Sequence, residues 1–447
     1  MNSIDSILSA ISDFLWGYPM IILLVGTHIL LTIRLKFPQR KIFTAIKLSL
    51  AKDKDGKGDV SQFGALATAL AATIGTGNII GVGTAIALGG PGAVLWCWLT
   101  GVFGIATKYG EGLLAVKYRK TSKKGYMIGG PMYALEYGLH AKWAGVLFAL
   151  FTAIAAFGIG STVQANAISN LANEVMGIDT WITGIVVTVL VALVIIGGIK
   201  SIAKVTTILT PTMCVLYIIS GLIVIFANFN HIWDAIVLIC NEAFHPTAVA
   251  GGVFGTIIIG LRRSVQSNEA GTGAAAIVYA TAQTKEHVSQ GFVALLETFL
   301  TGVLCLFTSL AIVSSGVLDM SAVGEISGIE LASNAFQSVI PFFPVVLSLI
   351  AVLFAMSTLI SWAYYGQKAW TFLLGEGKKR VLTFNLIYCM FIVIGSVMNV
   401  KSVIDITDAM MIALCIPNVI VLYILAPEIK RDLKAYLEKH NMNFMKF

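Results

Sequence analysis

The sequence predicts an all-α integral membrane protein of eleven transmembrane helices, arranged as two inverted halves of five with one extra helix at the N-terminus. Three observations predict it: an extreme apolar composition, basic residues in every second connection, and two polar, glycine-rich interruptions five spans apart. Hydrophobic residues make up 57% of the 447-residue chain and charged residues only 12%, against about 25% charged in a soluble domain. A chain of this length cannot hide so much apolar surface in one aqueous core. Its solvent is the lipid bilayer. The net charge of +7 does not point to nucleic acid, because the basic residues sit in short clusters between apolar stretches rather than on one face. Six cysteines (Cys97, Cys214, Cys240, Cys305, Cys389, Cys415) lack metal-ligand spacing, so neither a zinc site nor a disulfide framework is expected.

A helix crosses a bilayer in roughly 20 mainly apolar residues. By that measure the spans fall at residues 17–37, 62–90, 92–117, 143–173, 180–199, 202–228, 251–281, 288–317, 342–373, 381–399 and 403–426. Asp5 and Asp13 precede the first, where a cleavable leader would carry basic residues, so no leader is expected. Basic clusters then follow the first span (Arg34 to Lys57), the third (Lys117 to Lys124), the fifth (Lys200, Lys204), the seventh (Lys285) and the ninth (Lys378 to Arg380). The tail beyond the eleventh is basic as well, and the intervening connections hold Lys401 alone. Positive residues favour the cytoplasmic side, which places the N-terminus outside and the C-terminus in the cytoplasm of a cell membrane. The long outer connections 229–250 and 318–341 mix Trp233, Phe244, Ile326, Ile329, Leu331 and Phe336 with polar residues. They read as amphipathic interfacial helices, and the inner segment 127–139 reads similarly.

The second span crowds Thr68, Thr73, Gly75, Thr76, Gly77, Asn78, Gly81 and Gly83 together. The seventh does the same with Arg262, Arg263, Ser264, Gln266, Ser267, Asn268, Glu269, Gly271, Thr272 and Gly273. Five spans separate one interruption from the other, and an odd number turns the second half upside down. That is the inverted repeat of secondary transporters, each half opening with a discontinuous helix. The expected organisation is a peripheral segment 1–60, a first repeat 61–228, a connection 229–250, a second repeat 251–426 and a tail 427–447. Breaking a helix at membrane depth frees N–H and C=O groups that need partners. A half-helix N-terminus favours an anion, and freed carbonyls favour a cation. The competing reading is close helix packing through small residues, as in the Gly77 to Gly81 spacing. Two matching interruptions, each with an asparagine beside Gly-Thr-Gly, favour a site.

Several ungapped stretches then resemble the alanine or glycine:cation symporter family. They are Ala67 to Val82 around Gly75-Thr76-Gly77-Asn78, Gly89 to Ala93, Thr107-Lys108-Tyr109-Gly110-Glu111 and Gly129-Gly130-Pro131-Met132-Tyr133. They continue with Ser267 to Gly271, Glu297-Thr298-Phe299 and Ser361-Trp362-Ala363-Tyr364-Tyr365-Gly366. The resemblance runs in order from residue 61 to about residue 430. It implies a leucine-transporter-type fold, within the amino acid-polyamine-organocation superfamily, and Na⁺-driven uptake of alanine or glycine. Two departures touch ion coupling: Arg262-Arg263-Ser264-Val265-Gln266 stands where an Arg-Gly pair is expected, and Thr301-Gly302 where Asp-Thr is expected.

A zwitterionic cargo needs donors and acceptors. The N–H groups of Thr76, Gly77 and Asn78, around Gly75, are candidates for its carboxylate. Carbonyls near Ala72 and Thr73 and from Arg263 to Ser267 are candidates for its ammonium. Asn268 and Gln164 could bond it from the side, Gly271 belongs to the second break, and Trp362 or Phe157 could cap the pocket. Each polar side chain could equally serve hydrogen bonding within the bundle. The resemblance further implies a Na⁺ site between the carbonyls of Ala71 and Ile74 and the hydroxyls of Ser357 and Thr358. The alternative is that both hydroxyls bond their own helix. Glu269 needs a partner, for which Arg262, Arg263 and Lys108 are candidates, while Lys368 is expected to snorkel. Proton coupling and a passive channel are the competing functions. An intramembrane enzyme is disfavoured, since no nucleophile or metal motif occurs.

Overall fold

The computed structural model describes residues 17–442, except 52, 54, 248, 250, 321, 322, 324–327, 399 and 400. The expected features at residues 1–16, at Ile326, at the 399–400 turn and in the side chains of Thr76, Ile329 and Lys401 lie outside the described part. The chain is helical nearly throughout, the strands being one short pair, Lys120–Thr121 against Met127–Ile128. All-helical architecture follows from the bilayer, where each backbone N–H must find its partner inside its own segment.

Helix α1 (Tyr18–Arg34) runs into a left-handed turn at Lys36 and Phe37, and α2 (Ile42–Leu50) leaves at 63° to it. Then come α3 (Gln62–Thr73), α4 (Ile80–Gly89) and α5 (Ala93–Lys117). Helices α6 (Lys142–Phe157) and α7 (Val163–Met176) are joined by a wide turn over Gly158–Thr162. Next are α8 (Thr180–Ile195), α9 (Gly198–Ala227), α10 (Ile232–Phe244) and α11 (Gly252–Asn268). The short α12 (Ala276–Tyr279) leads to α13 (His287–Ser314), α14 (Gly328–Gln337) and α15 (Phe343–Leu374). The last two are α16 (Lys378–Val397) and α17 (Lys401–Lys439).

Among the described residues, six helices are long and apolar enough to cross a membrane, or seven if α1 and α2 form one bent span. The remaining expected spans fall short for physical reasons. Residues 62–90 and 251–281 are broken, α8 has only 16 residues, and α5 carries Lys108 and Glu111 in its inner half. The eleventh expected span continues as one helix to Lys439, through Pro417 and Pro427, so much of the expected tail is helical.

Each of the two long connections expected to be amphipathic contains a helix, α10 in 229–250 and α14 in 318–341. On α14 the buried face of Leu331, Ala332, Ala335 and Phe336 packs onto the bundle, with Phe336 stacked on Phe343 at 4.3 Å. Gly83 of α4 makes room for it: a Cβ there would sit 2.0 Å from the Gly328 carbonyl oxygen. The segment 127–139 is not a plain amphipathic helix. It pairs as a strand, turns at Pro131 and ends in a wide turn over Ala134–Gly138.

Candidate functional site

The first interruption is built by α3 and α4. Ser61 starts α3, its Oγ accepting the Gly64 N–H at 3.0 Å, an N-cap worth about 1 kcal/mol. At Ile74 the backbone leaves the helix (φ −78, ψ 85), makes one tight turn over Thr76–Asn78 and resumes as α4. Part of the freed backbone is satisfied from within. Asn78 Nδ2 donates to the Thr73 carbonyl at 3.0 Å, and Thr308 Oγ1 of α13 donates to the Asn78 carbonyl at 3.1 Å.

On its other side the break meets α15. Ser357 Oγ donates to the Ala71 carbonyl at 2.9 Å, and Thr358 Oγ1 lies 3.3 Å from the same oxygen and 3.4 Å from that of Ala72. Each hydroxyl also bonds the Phe354 carbonyl of its own helix, at 2.8 and 3.0 Å, the alternative read from the sequence, while reaching across to α3. Ile74 is wholly buried, but among the described residues no hydroxyl reaches its carbonyl. A Cβ at Gly75 would stand 3.3 Å from Thr358 Oγ1, so the glycine keeps this corner open. Uncharged carbonyl and hydroxyl oxygens gathered in a dry corner suit a hard cation.

The second interruption is closed differently. Helix α11 ends at Asn268, and Glu269 takes a left-handed conformation (φ 50). The Asn268 side chain is engaged locally: Nδ2 donates to Ser264 Oγ at 3.0 Å and Oδ1 accepts the Ala270 N–H at 2.9 Å. Gly271 (φ +95) packs on α1, a Cβ there meeting Leu24 Cδ1 at 2.3 Å, while its N–H donates to Glu111 Oε1 at 2.9 Å. Asn418 of α17 seals the turn, donating from Nδ2 to Glu111 Oε1 and to the Gly271 carbonyl, both at 2.8 Å.

The two breaks touch. Ser267 Oγ donates to Asn78 Oδ1 at 2.8 Å and lies 2.9 Å from Cys305 Sγ, and a Cβ at Gly77 would stand 3.4 Å from the Gln266 carbonyl oxygen. Thr73, Gly75, Gly77, Asn78 and Ser267 therefore share one locus with Ala71, Ser357 and Thr358. Asn268 adjoins it, whereas Gly271 faces α1 and α5.

Gln164 and Trp362 each pack against the wide turn between α6 and α7. Gln164 Nε2 donates to the Ile159 carbonyl at 3.1 Å in the wide turn, but its Oε1 is buried without a partner. Ser161 Oγ and Ser361 Oγ are likewise buried and unpartnered. Buried polar atoms left unpaired are uncommon and ask for an explanation. Trp362 is 1% exposed and packs against Gly160, where a Cβ would lie 2.5 Å from its own. Phe157 does not join Gln164 and Trp362, because its ring sits among Trp370, Phe384, Tyr388 and Phe391. Lys368 leans over the Tyr364 ring at 5.1 Å and lines a polar pocket with Lys124, Lys200 and Glu376, as expected of a snorkelling lysine.

Beneath the first break lies a buried ionic cluster that the sequence reading did not assemble. Lys108 Nζ pairs with Glu297 Oε1 at 2.9 Å and with Glu111 Oε2 at 3.6 Å. Glu297 also accepts from Thr73 Oγ1 at 2.5 Å and from the Tyr279 hydroxyl at 2.6 Å. Arg263 bonds Gln266 at 2.8 Å, and Lys108, whose charge also acts on Glu269, pairs with Glu297 and Glu111. Glu269, 4% exposed, keeps one carboxylate oxygen with no hydrogen-bond partner. The available signal was a lone acid, Glu297, and a lone base, Lys108, in two different apolar spans.

Comparison with known proteins follows this geometry. The model of the sodium:alanine symporter family matches residues 1–446. A sodium/alanine symporter of Methanococcus maripaludis is 41% identical over 442 residues, covering 97% of this chain and 97% of its own. An uncharacterized transporter of Haemophilus influenzae is also 41% identical, over 451 residues, with 99% and 98% covered. Among solved structures, that of MhsT in complex with L-phenylalanine superposes with a TM-score of 0.56 at 15% identity, over 85% of this chain and 99% of that one. At that identity the likeness is one of fold.

Proposed function

We propose, on the premise that this chain belongs to the sodium:alanine symporter family, that it imports small neutral amino acids, alanine and glycine, together with Na⁺. The family is one of membrane transporters, not enzymes. The observation that carries the reading is the corner where the carbonyls of Ala71 and Ala72 meet the hydroxyls of Ser357 and Thr358 beside an open helix break. A hard monovalent cation inserted there would take over oxygens now bonded to one another. In this reading Na⁺ is held by Ala71, Ile74, Ser357 and Thr358.

The cargo's carboxylate meets the N–H groups over Gly75, Thr76, Gly77 and Asn78, favoured by the N-terminus of α4. Its ammonium meets the carbonyls near Thr73 and Ser267. Gln164, Asn268 and Trp362 close the pocket around a small side chain, and Gly271 holds the second break in shape. Two halves of five spans each, residues 61–228 and 251–426, form a leucine-transporter-type inverted repeat, flanked by 1–60, which adds the eleventh span, and by 229–250 and 427–447. Rocking of one part against the other gives alternating access. The N-terminus lies outside and the C-terminus in the cytoplasm. A passive channel would not call for a closed corner of this kind.

Counterflow in proteoliposomes tests the proposal. Saturable exchange of labelled alanine, competed by glycine and dependent on Na⁺, is the expected result. Exchange indifferent to Na⁺ but dependent on a proton gradient would transfer the coupling to H⁺, and flux without saturation would leave only the channel. The variant Thr358→Val should raise the half-saturating Na⁺ concentration about ten-fold, the equivalent of one lost ligand bond of roughly 1.5 kcal/mol. An unchanged Na⁺ dependence in that variant removes Thr358 from the ion site.

A further inference from the structure

A second cavity, of about 560 Å³, lies far from the helix breaks, between the end of α1 and the last turns of α17. Arg34 and Lys36 line it from one side, Lys430 and Lys434 from the other, and Glu438 is the carboxylate among its lining residues. Glu438 is already engaged by Lys434 at 3.6 Å, with both side chains about two-thirds exposed. Among the described residues that line it, four cations stand against one carboxylate, a positive excess in a concave site that attracts a multivalent oxyanion. Arginine's planar fork and lysine's point charge are the usual partners of phosphate oxygens.

The apolar faces that lead up to its basic residues indicate what carries the phosphate. On α1 the exposed apolar residues Ile22, Ile29 and Ile33 recur on one helical face, and that series reaches its end at Arg34. On α17 Ile420, Tyr423 and Ile424 form a like series, which stops before Lys430. Exposed apolar stripes on a membrane helix are surfaces for acyl chains, and the basic residues begin where the chains would end. The bend into α2, with Phe43, Ile46 and Leu50 exposed on one side, gives the chain a further apolar face just after Arg34 and Lys36, as in helices lying in the headgroup layer.

We propose that this cavity binds the phosphate of an anionic membrane lipid, its acyl chains lying on the stripes of α1 and α17. The lipid then bridges the peripheral N-terminal helix to the C-terminal helix at the basic face of the membrane. The inference concerns only the membrane placement of the chain and is independent of its cargo.

Native mass spectrometry of the delipidated protein in neutral detergent tests it, with phosphatidylglycerol, phosphatidylcholine and inorganic phosphate added separately. Phosphatidylglycerol should be retained in preference to phosphatidylcholine. The double variant Arg34→Gln/Lys434→Gln should weaken that retention roughly ten-fold or more, since each basic residue near an anionic lipid contributes substantially. The control Lys142→Gln/Lys379→Gln, outside the cavity, should leave it unchanged. Equal loss in both double variants, or equal retention of both lipids, overturns the proposal. Binding of inorganic phosphate as tight as that of the lipid overturns the lipid as its source. If the double variant does not fold, Lys434→Gln alone, at an exposed side chain, carries the same comparison.

Discussion

Both helix breaks contain Gly-Thr-Gly, at residues 75–77 and 271–273, but the tripeptide serves opposite ends in the two. In the first break it is the interruption itself. Gly75 and Gly77 have ordinary backbone angles, and their missing side chains leave space beside Thr358 Oγ1 and the Gln266 carbonyl. In the second break the helix has already ended at Asn268, and Gly-Thr-Gly follows as a tight turn with φ of +95 at Gly271 and +75 at Gly273. Those glycines are pressed against Leu24 and Asn418, not against an open corner. One break is kept open and the other is packed shut.

The largest effect should come from the ionic cluster that ties the two breaks to the same helices. Gly112 and Gly291 bring α5 and α13 close enough for Lys108 to reach Glu297 at 2.9 Å. Removing one partner of a fully buried pair leaves an uncompensated charge, which costs about 3–5 kcal/mol. Lys108→Met should therefore abolish folding or lower the thermal unfolding midpoint drastically in detergent. Lys108→Met/Glu297→Gln should recover part of the loss, because the acid nearest the cation is then neutral and only Glu111 and Glu269 remain without it. A stable, active single variant would show that the cluster does not hold the breaks together.

A paired substitution addresses the open and shut breaks directly. Gly271→Ala puts a side chain into a left-handed backbone, costing roughly 1–2 kcal/mol, and drives it into Leu24 Cδ1 at 2.3 Å. It should lower thermal stability clearly while leaving the Na⁺ requirement of surviving protein unchanged. Gly75→Ala meets only Thr358 Oγ1, at 3.3 Å. It should cost little stability and raise the Na⁺ concentration needed for alanine exchange several-fold, by crowding an oxygen the cation needs. The reverse pattern would interchange the roles given to the two breaks.

These contrasts also mark how far the sequence could be read. The positions of the breaks were legible, because glycine, threonine and asparagine crowded into an apolar run contradict a lipid-facing helix. Ser357 and Thr358 were placed opposite Ala71 through a family resemblance, and the structure brings them to 2.9 and 3.3 Å of its carbonyl. What pattern could not supply was direction. Whether Gly271 faces a cavity or α1 depends on a left-handed residue at Glu269, a conformation that composition does not announce. Nor could spacing pair Lys108 with Glu297 across 189 positions, since both arginines, 262 and 263, lay nearer Glu269 in sequence than any lysine. Asn268 reads as a ligand contact, and its amide already bonds Ser264 and Ala270, which leaves one N–H and one lone pair. An asparagine at a helix end caps first and binds only with what remains.

The smallest expected effect concerns the glycine spacing that first competed with the site. Gly77 and Gly81 stand four apart, as in close helix packing. If packing set this spacing, both would press on a neighbour. A Cβ at Gly81 meets nothing within 4 Å, whereas one at Gly83 would fall 2.0 Å from the Gly328 backbone oxygen. Gly81→Ala should leave stability unchanged or raise it by about 0.5 kcal/mol, as alanine does in an unstrained helix. Gly83→Ala should destabilise the contact between α4 and α14 enough to lower the unfolding midpoint. Equal losses in the two variants would return the first break to a packing motif. A neutral Gly81→Ala beside a damaging Gly83→Ala separates them: the small residue at 83 serves α14, and those at 75 and 77 keep the break open.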